Sequence, residues 1–172
     1  PVLRDQLVVD DECEVLVGVR HHLGGPGVGP DQRQLLRGAP ARVEEHCRSV
    51  PSDVLTFQAD GRWSMQENAG HLLVLETLVQ QRVNEYLASA QALHAADMSN
   101  RKTYEASYND VPIESILADF RRLRTETVAQ LDKLEPEIFG RVALHPRLNC
   151  DMRLVDMIFF QAEHDDYHLT RI

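Results

Sequence analysis

The residues with the most chemistry to offer lie near the end of the chain, in His164-Asp165-Asp166-Tyr167-His168. Residues four apart on a helix project from one face, one turn apart. Both imidazoles of His164 and His168 can therefore reach one metal ion. A chain with eight histidines can also produce such a pair without function, as two partly exposed rings on a helix margin. Placement favours the ligand reading. At about 100° per residue, both rings flank the apolar face of their helix beside Met157, and His71 flanks the apolar face of an earlier helix next to Leu75. A histidine on one helix margin can meet a pair on its neighbour's across the groove, as in metal sites built inside helix bundles. Three imidazoles supply neutral nitrogen donors for a divalent ion, with zinc or nickel expected first and iron or copper after them. Three protein ligands leave a position for water, the arrangement of an open site.

Two carboxylates stand out by position. Asp165 falls in the apolar sector of the last helix, and Glu76 in that of the helix carrying His71. A buried carboxylate must be paired or hydrogen-bonded, and metal-bound histidines commonly donate their second ring proton to such a group. Asp165 and Glu76 are thus candidates for orienting a ligand or moving a proton. The alternative is that one or both cap a backbone or pair with an arginine such as Arg82. His145, before Pro146, sits in a connection that could fold over the site, although a surface loop is the more ordinary expectation. His21-His22 adjoin a glycine-rich run, where neighbouring residues of an extended chain point to opposite sides, His46 has no partner in register, and His94 is near a helix end. Tyr104 and Tyr108 could line a pocket mouth, with packing the plainer expectation. Cys47 lies on an apolar stripe, where a free cysteine is usually a small core residue. The chain has no G-x-S-x-G elbow, no H-E-x-x-H and no dinucleotide fingerprint.

The elements that must position these residues are helices. Leu36, Val43, Cys47 and Val50 mark one face of a first helix, which Pro40 should kink or restart. Ser64-x-x-Glu67 is a capping box, and Met65, Ala69, Leu72, Leu75, Val79, Val83 and Tyr86 continue a second helix that should fade between Ala90 and Ala96. A polar loop follows, from about Asp97 to Asp110. A third helix is expected from near Pro112 to Leu134, with Pro136 past its end, and a fourth from about Met152 to the C-terminus. Strand content beyond residue 30 should be near zero. Residues 1–30 read as an irregular N-terminal segment, with two strand-like runs and a glycine-proline run after His22 that is not a phosphate loop. Residues 31–172 read as one all-α, four-helix-bundle domain.

Composition narrows the function classes. The chain has 172 residues, 43% hydrophobic and 26% charged, the make-up of one globular domain. A formal charge of −9 argues against nucleic acid as a partner, because phosphate contacts need a basic field. No apolar run is long enough to span a bilayer, and no basic-then-apolar leader opens the chain, so secretion is not expected. Cys13, Cys47 and Cys150 are widely spaced and form no CxxC pair, which suggests reduced thiols and a cytoplasmic location.

Two segments together resemble one known family. Trp63-Ser64-x-x-Glu67-x-x-x-His71-Leu72-x-x-x-Glu76 and Ala162-Glu163-His164-Asp165-x-x-His168-Leu169-x-x-Ile172 are similar to the DinB-like superfamily, which has one histidine on its second helix and an H-x-x-x-H pair on its last. The resemblance covers roughly residues 31–172. It implies an up-down-down-up bundle, often dimeric, with a divalent metal held by three histidines, here His71, His164 and His168. Family members of known activity include metal-dependent transferases and isomerases that use low-molecular-weight thiols. The expectation is a metal-dependent thiol transferase or hydrolase acting on a small-molecule substrate, as a homodimer. The alternative is a non-catalytic stress-response module in which the ion staples two helices. A fourth protein ligand, such as His145 or a carboxylate, would favour that alternative.

Overall fold

The computed structural model describes residues 30–172, and its helices form where caps and apolar spacing place them. The strand-like runs, the glycine-proline run up to residue 29 and His21-His22 lie outside the described residues. Helix α1 spans Pro30–Cys47, with Pro40 inside it rather than at a break. Proline has no N–H for the carbonyl four residues back, so Leu36 loses its helical donor. Arg124 Nη1 donates to that oxygen instead, at 3.0 Å. A short α2 (Ser52–Leu55) leads to α3 (Met65–Leu87). The α3 capping box is complete: Glu67 N–H donates to Ser64 Oγ at 3.0 Å and Ser64 N–H to Glu67 Oε2 at 2.8 Å. Then come α4 (Arg101–Glu105), a 3-10 turn (Tyr108–Asp110), α5 (Ile113–Leu131), a 3-10 stretch (Pro136–Gly140), strands β1 (Val142–His145) and β2 (Cys150–Arg153), and α6 (Leu154–Leu169).

The antiparallel β1–β2 hairpin corrects the expectation of almost no strand. Each strand is four residues long, too short for a period to show, and Asn149 closes the turn with φ of 48°. Met152 pairs with Ala143, so the last helix starts two residues later than its apolar pattern suggests. Helix α3 stops at Leu87 rather than fading through Ala96. Ser89 turns to φ of 55°, and the chain runs along the hairpin, where Leu93 N–H donates to Leu144 O and Leu144 N–H to Gln91 O.

Polar contacts give the helix directions. Arg37 meets Asp132 and Arg121 meets Glu44, so α1 and α5 are antiparallel. Gln66 reaches Val111 O, Glu76 meets Arg124 and Asn84 meets Gln130, so α3 and α5 are parallel. Asn68 meets His168 and Tyr86 reaches Met152 O, so α3 and α6 are antiparallel. The order is up-down-down-up. The principal packings are α1 on α5 and α6, and α3 on α5 and α6. Parallel neighbours need a connection that returns the length of the first helix, about 35 Å for the 23 residues of α3. The segment 88–112 is that crossover, which is why it is long and why it passes the histidines. Among the described residues, no helix is long and apolar enough to cross a membrane.

The core is divided. One apolar cluster includes Val83, Tyr86, Leu131, Met152 and Ile158, and the other includes Val43, Leu72, Ile116, Phe120 and Leu169. Between them lies a buried polar layer of Glu76, Arg124, Thr127, Gln161 and Asp165.

Candidate metal centre

His71 comes from α3 near its capped N-terminus, and His164 and His168 from the last turns of the antiparallel α6. Each is at most 3% exposed, so none is a surface ring on a helix margin. Ring centroids lie 5.5 Å apart for His71–His164, 4.8 Å for His71–His168 and 4.5 Å for His164–His168. One ligand-capable nitrogen from each ring lies within 4.8 Å of the others. Small side-chain rotations can bring such a set to the ordinary metal–imidazole distance of about 2.0–2.1 Å.

The surroundings suit three ligands. His168 Nδ1 is 2.8 Å from Asn68 Oδ1. The Asn68 amide nitrogen donates to the Ser64 and Trp63 carbonyls, which can only accept, so Oδ1 must face the imidazole. His168 therefore donates from Nδ1, and its buried Nε2 keeps a lone pair with no hydrogen-bond partner. Burial first, and then electrostatic interaction with His164, His71 and Arg171, hold the His168 pKa well below the usual imidazole range. A neutral ring is the form that binds metal. His71 Nδ1 is 3.0 Å from Thr103 Oγ1, on α4 in the crossover, a hydroxyl able to accept its proton, in which case Nε2 is the nitrogen a metal would take. Trp63 stacks over the group, 4.7 Å from His71 and 6.1 Å from His168, with Tyr104 against its edge at 5.7 Å. These residues fit a divalent ion: three buried nitrogen donors from two helices, two of them hydrogen-bonded at Nδ1.

The two carboxylates are elsewhere. Arg124 Nε donates to Glu76 Oε2 at 2.8 Å, and its two terminal nitrogens donate to Asp165 at 2.5 and 3.2 Å. Thr127 Oγ1 donates to Glu76 Oε1 at 2.5 Å and Gln161 Nε2 to Asp165 Oδ1 at 2.9 Å. The hydrogen bonds of Glu76 and Asp165 thus go to Arg124, Thr127 and Gln161, not to an imidazole. Pairing with an arginine is what holds them, through Arg124 rather than Arg82. Burial raises the Glu76 carboxyl above its ordinary value against the pull of Arg124. Burial also works against the Arg124 charge, but Asp165 and Glu76 more than offset it and its pKa is raised.

Other sequence candidates separate. His46 and His94 are exposed. Burial pushes the Cys47 thiol up to about 11, which makes it a core residue and not a nucleophile. Tyr108 is buried against Gly70 of α3, where a Cβ would run into its ring. Tyr104 meets Trp63. His145 is buried in the hairpin rather than on a surface loop, yet it is not a member of the three-histidine group. It lines a cavity of about 290 Å³ that has His164 in its wall. Sequence reasoning missed Asn68 and Thr103. Asn68 contacts His168 on the antiparallel helix, so its spacing within α3 carried no signal. Thr103 is in the crossover, whose polar composition carried none.

The family model of the DinB superfamily matches residues 35–172. No curated protein matches. Among solved structures the chain is similar to YfiT from Bacillus subtilis, described as a probable metal-dependent hydrolase with an unusual four-helix bundle topology. The TM-score is 0.76 at 18% identity, over 86% of this chain and 87% of that one. A protein from Streptococcus pneumoniae is also similar, with a TM-score of 0.68 at 11% identity over 88% and 92% of the two chains. These structures share the fold, and the family model covers the helices that carry all three histidines. The chain belongs to the DinB superfamily.

Proposed function

We propose that His71, His164 and His168 hold one divalent metal ion, zinc or nickel before iron or copper, and that a small molecule reacts beside it. The observation that carries this reading is the convergence of three buried imidazoles, two with a hydrogen-bonded Nδ1 and one, His164, in the wall of a cavity. When bound, the ion supplies a Lewis acid that lowers the pKa of water or a thiol and polarises an electrophile. Asn68 and Thr103 orient their imidazoles. Trp63 shields the group from solvent. Glu76 and Asp165 enter as positioning residues: through Arg124 they tie α3, α5 and α6 together below the ligands. Hydrolysis is favoured by the description of YfiT, with transfer of a low-molecular-weight thiol as the close relative of that chemistry.

The burial of all three rings favours a second reading, a structural ion that staples α3 to α6. The cavity at His164, and a group that holds three ligands among the described residues, favour the reactive one. The test is an assay of the zinc- and nickel-loaded protein against activated esters, and against 1-chloro-2,4-dinitrobenzene with cellular thiols. Turnover that requires the ion and disappears in His164→Ala supports reaction at the metal. Stabilisation by the ion without turnover in either arm supports the staple.

A further inference from the structure

His164 is shared between the metal group and the cavity of about 290 Å³. The helix periods explain where that cavity lies. His71, Leu75, Leu78, Val79 and Arg82 recur at intervals of three or four along α3 and share one stripe. Phe160 and His164 share a stripe of α6 at the same interval. The two helices are antiparallel, so both stripes leave the histidines in the same direction. From Leu75 to Arg82 the lining follows about 10 Å of α3. The crossover adds Ala96 and Met98 to it, and the hairpin turn adds Pro146.

The wall specifies the ligand. Leu75, Leu78, Met98 and Phe160 line the cavity and are only half-buried, so each keeps apolar surface that the core does not cover. Arg82 donates from Nε and Nη2 to His94 O, at 3.0 and 2.9 Å, and Gln161 donates from Nε2 to Asp165 Oδ1, at 2.9 Å. Both acceptors belong to residues outside the lining, so what α3 and α6 present is mainly hydrocarbon. His145 and Arg147 of the hairpin turn also line the space, and a hydrocarbon chain needs no hydrogen bond from them. An apolar cavity of about 150 Å³ takes benzene, and one about twice that size suits a body of about six to ten carbon atoms. We propose that the cavity binds the hydrocarbon chain of a small acyl substrate, with its carbonyl at the His164 end. As the naming of a substrate class this rests on the metal-centre reading. As binding of a hydrocarbon it does not need the ion.

The test has two arms, both on the full chain. Calorimetric titration of the chelated protein with butan-1-ol, hexan-1-ol and octan-1-ol reads binding without reaction. Hydrolysis of p-nitrophenyl acetate, butyrate, hexanoate and octanoate by the zinc-loaded protein reads the same chain during turnover. Affinity should rise by up to about fourfold per methylene, and kcat/KM should rise with acyl length in the same sense. Ala96→Phe fills part of the space, and Leu78→Ser removes hydrocarbon from the wall. Each should weaken octan-1-ol by about tenfold and flatten the ester series, with zinc content unchanged. Affinity that does not depend on chain length overturns the proposal. So does octan-1-ol that binds both variants as tightly as wild type, or zinc-dependent turnover indifferent to acyl length. Should one variant fail to fold, the other decides. Failure of the metal centre would show separately, as loss of zinc and of all ester hydrolysis, and the alkanol series of the chelated protein then decides alone.

Discussion

Asn68 and Thr103 settle which nitrogen of their imidazoles faces inward, a choice the rings cannot make alone. Partners of this kind commonly influence metal affinity by about 10–100-fold. Asn68→Ala and Thr103→Val should each weaken zinc by that order while helix content stays constant. Trp63 is the single tryptophan of the chain and lies 4.7 Å from His71, so its fluorescence during a zinc titration reads the effect. The convergence of the three histidines was legible in the sequence because their chemistry coincides with a helical period: His164 and His168 are one turn apart, and His71 follows a capping box. Their orienting partners were not, because an asparagine or threonine has no distinctive spacing and its contact is made by the crossover or the neighbouring helix. The positions of Glu76 and Asp165 on apolar faces correctly marked them as buried and paired. The partner was hidden, since Arg124 follows no pattern that links it to either.

At the scale of elements, the Arg124 layer joins four helices: Leu36 O of α1, Glu76 of α3, Asp165 of α6 and Arg124 itself on α5. Removing one partner of a buried ion pair leaves uncompensated charge and costs about 3–5 kcal/mol. Arg124→Met should lose that much in urea unfolding, and it also strips the donor from the carbonyl that Pro40 leaves unsatisfied. Glu76 contributes in the opposite sense. Its carboxyl pKa is raised by burial, so the folded state binds that proton more tightly than the unfolded chain. The contribution to stability is therefore fully present below about 4.5 and declines as pH rises through the raised value. Glu76→Gln keeps the neutral shape and cannot ionise. Its stability relative to wild type should rise across that window, and a difference independent of pH would contradict the assignment. The long helices were readable from caps and apolar spacing. The β1–β2 hairpin and the short α4 were not, because four or five residues hold too little of either period. Their positions depend on tertiary pairing, through Leu144 and through Thr103.

For the whole molecule, a ligand set divided between α3 and α6 exists only when the bundle is folded. Zinc at a hundredfold over its Kd should therefore add about 2.7 kcal/mol to stability, seen as a higher melting temperature that chelation reverses. We also propose a homodimer, as the family resemblance implies, and sedimentation at micromolar concentration should give twice the chain mass, with a monomer rejecting the proposal. The up-down-down-up order became legible through the family motifs rather than from periodicity, which gives helices but not their directions. The central claim is one ion shared across the bundle by three histidines. Its most direct test is the metal content of the purified protein beside His71→Ala, with circular dichroism confirming that both are folded. The account predicts about one divalent ion per chain in the wild type and a strong loss in the variant, because the α6 pair alone lacks the third ligand. Equal metal content in the two folded proteins would contradict it.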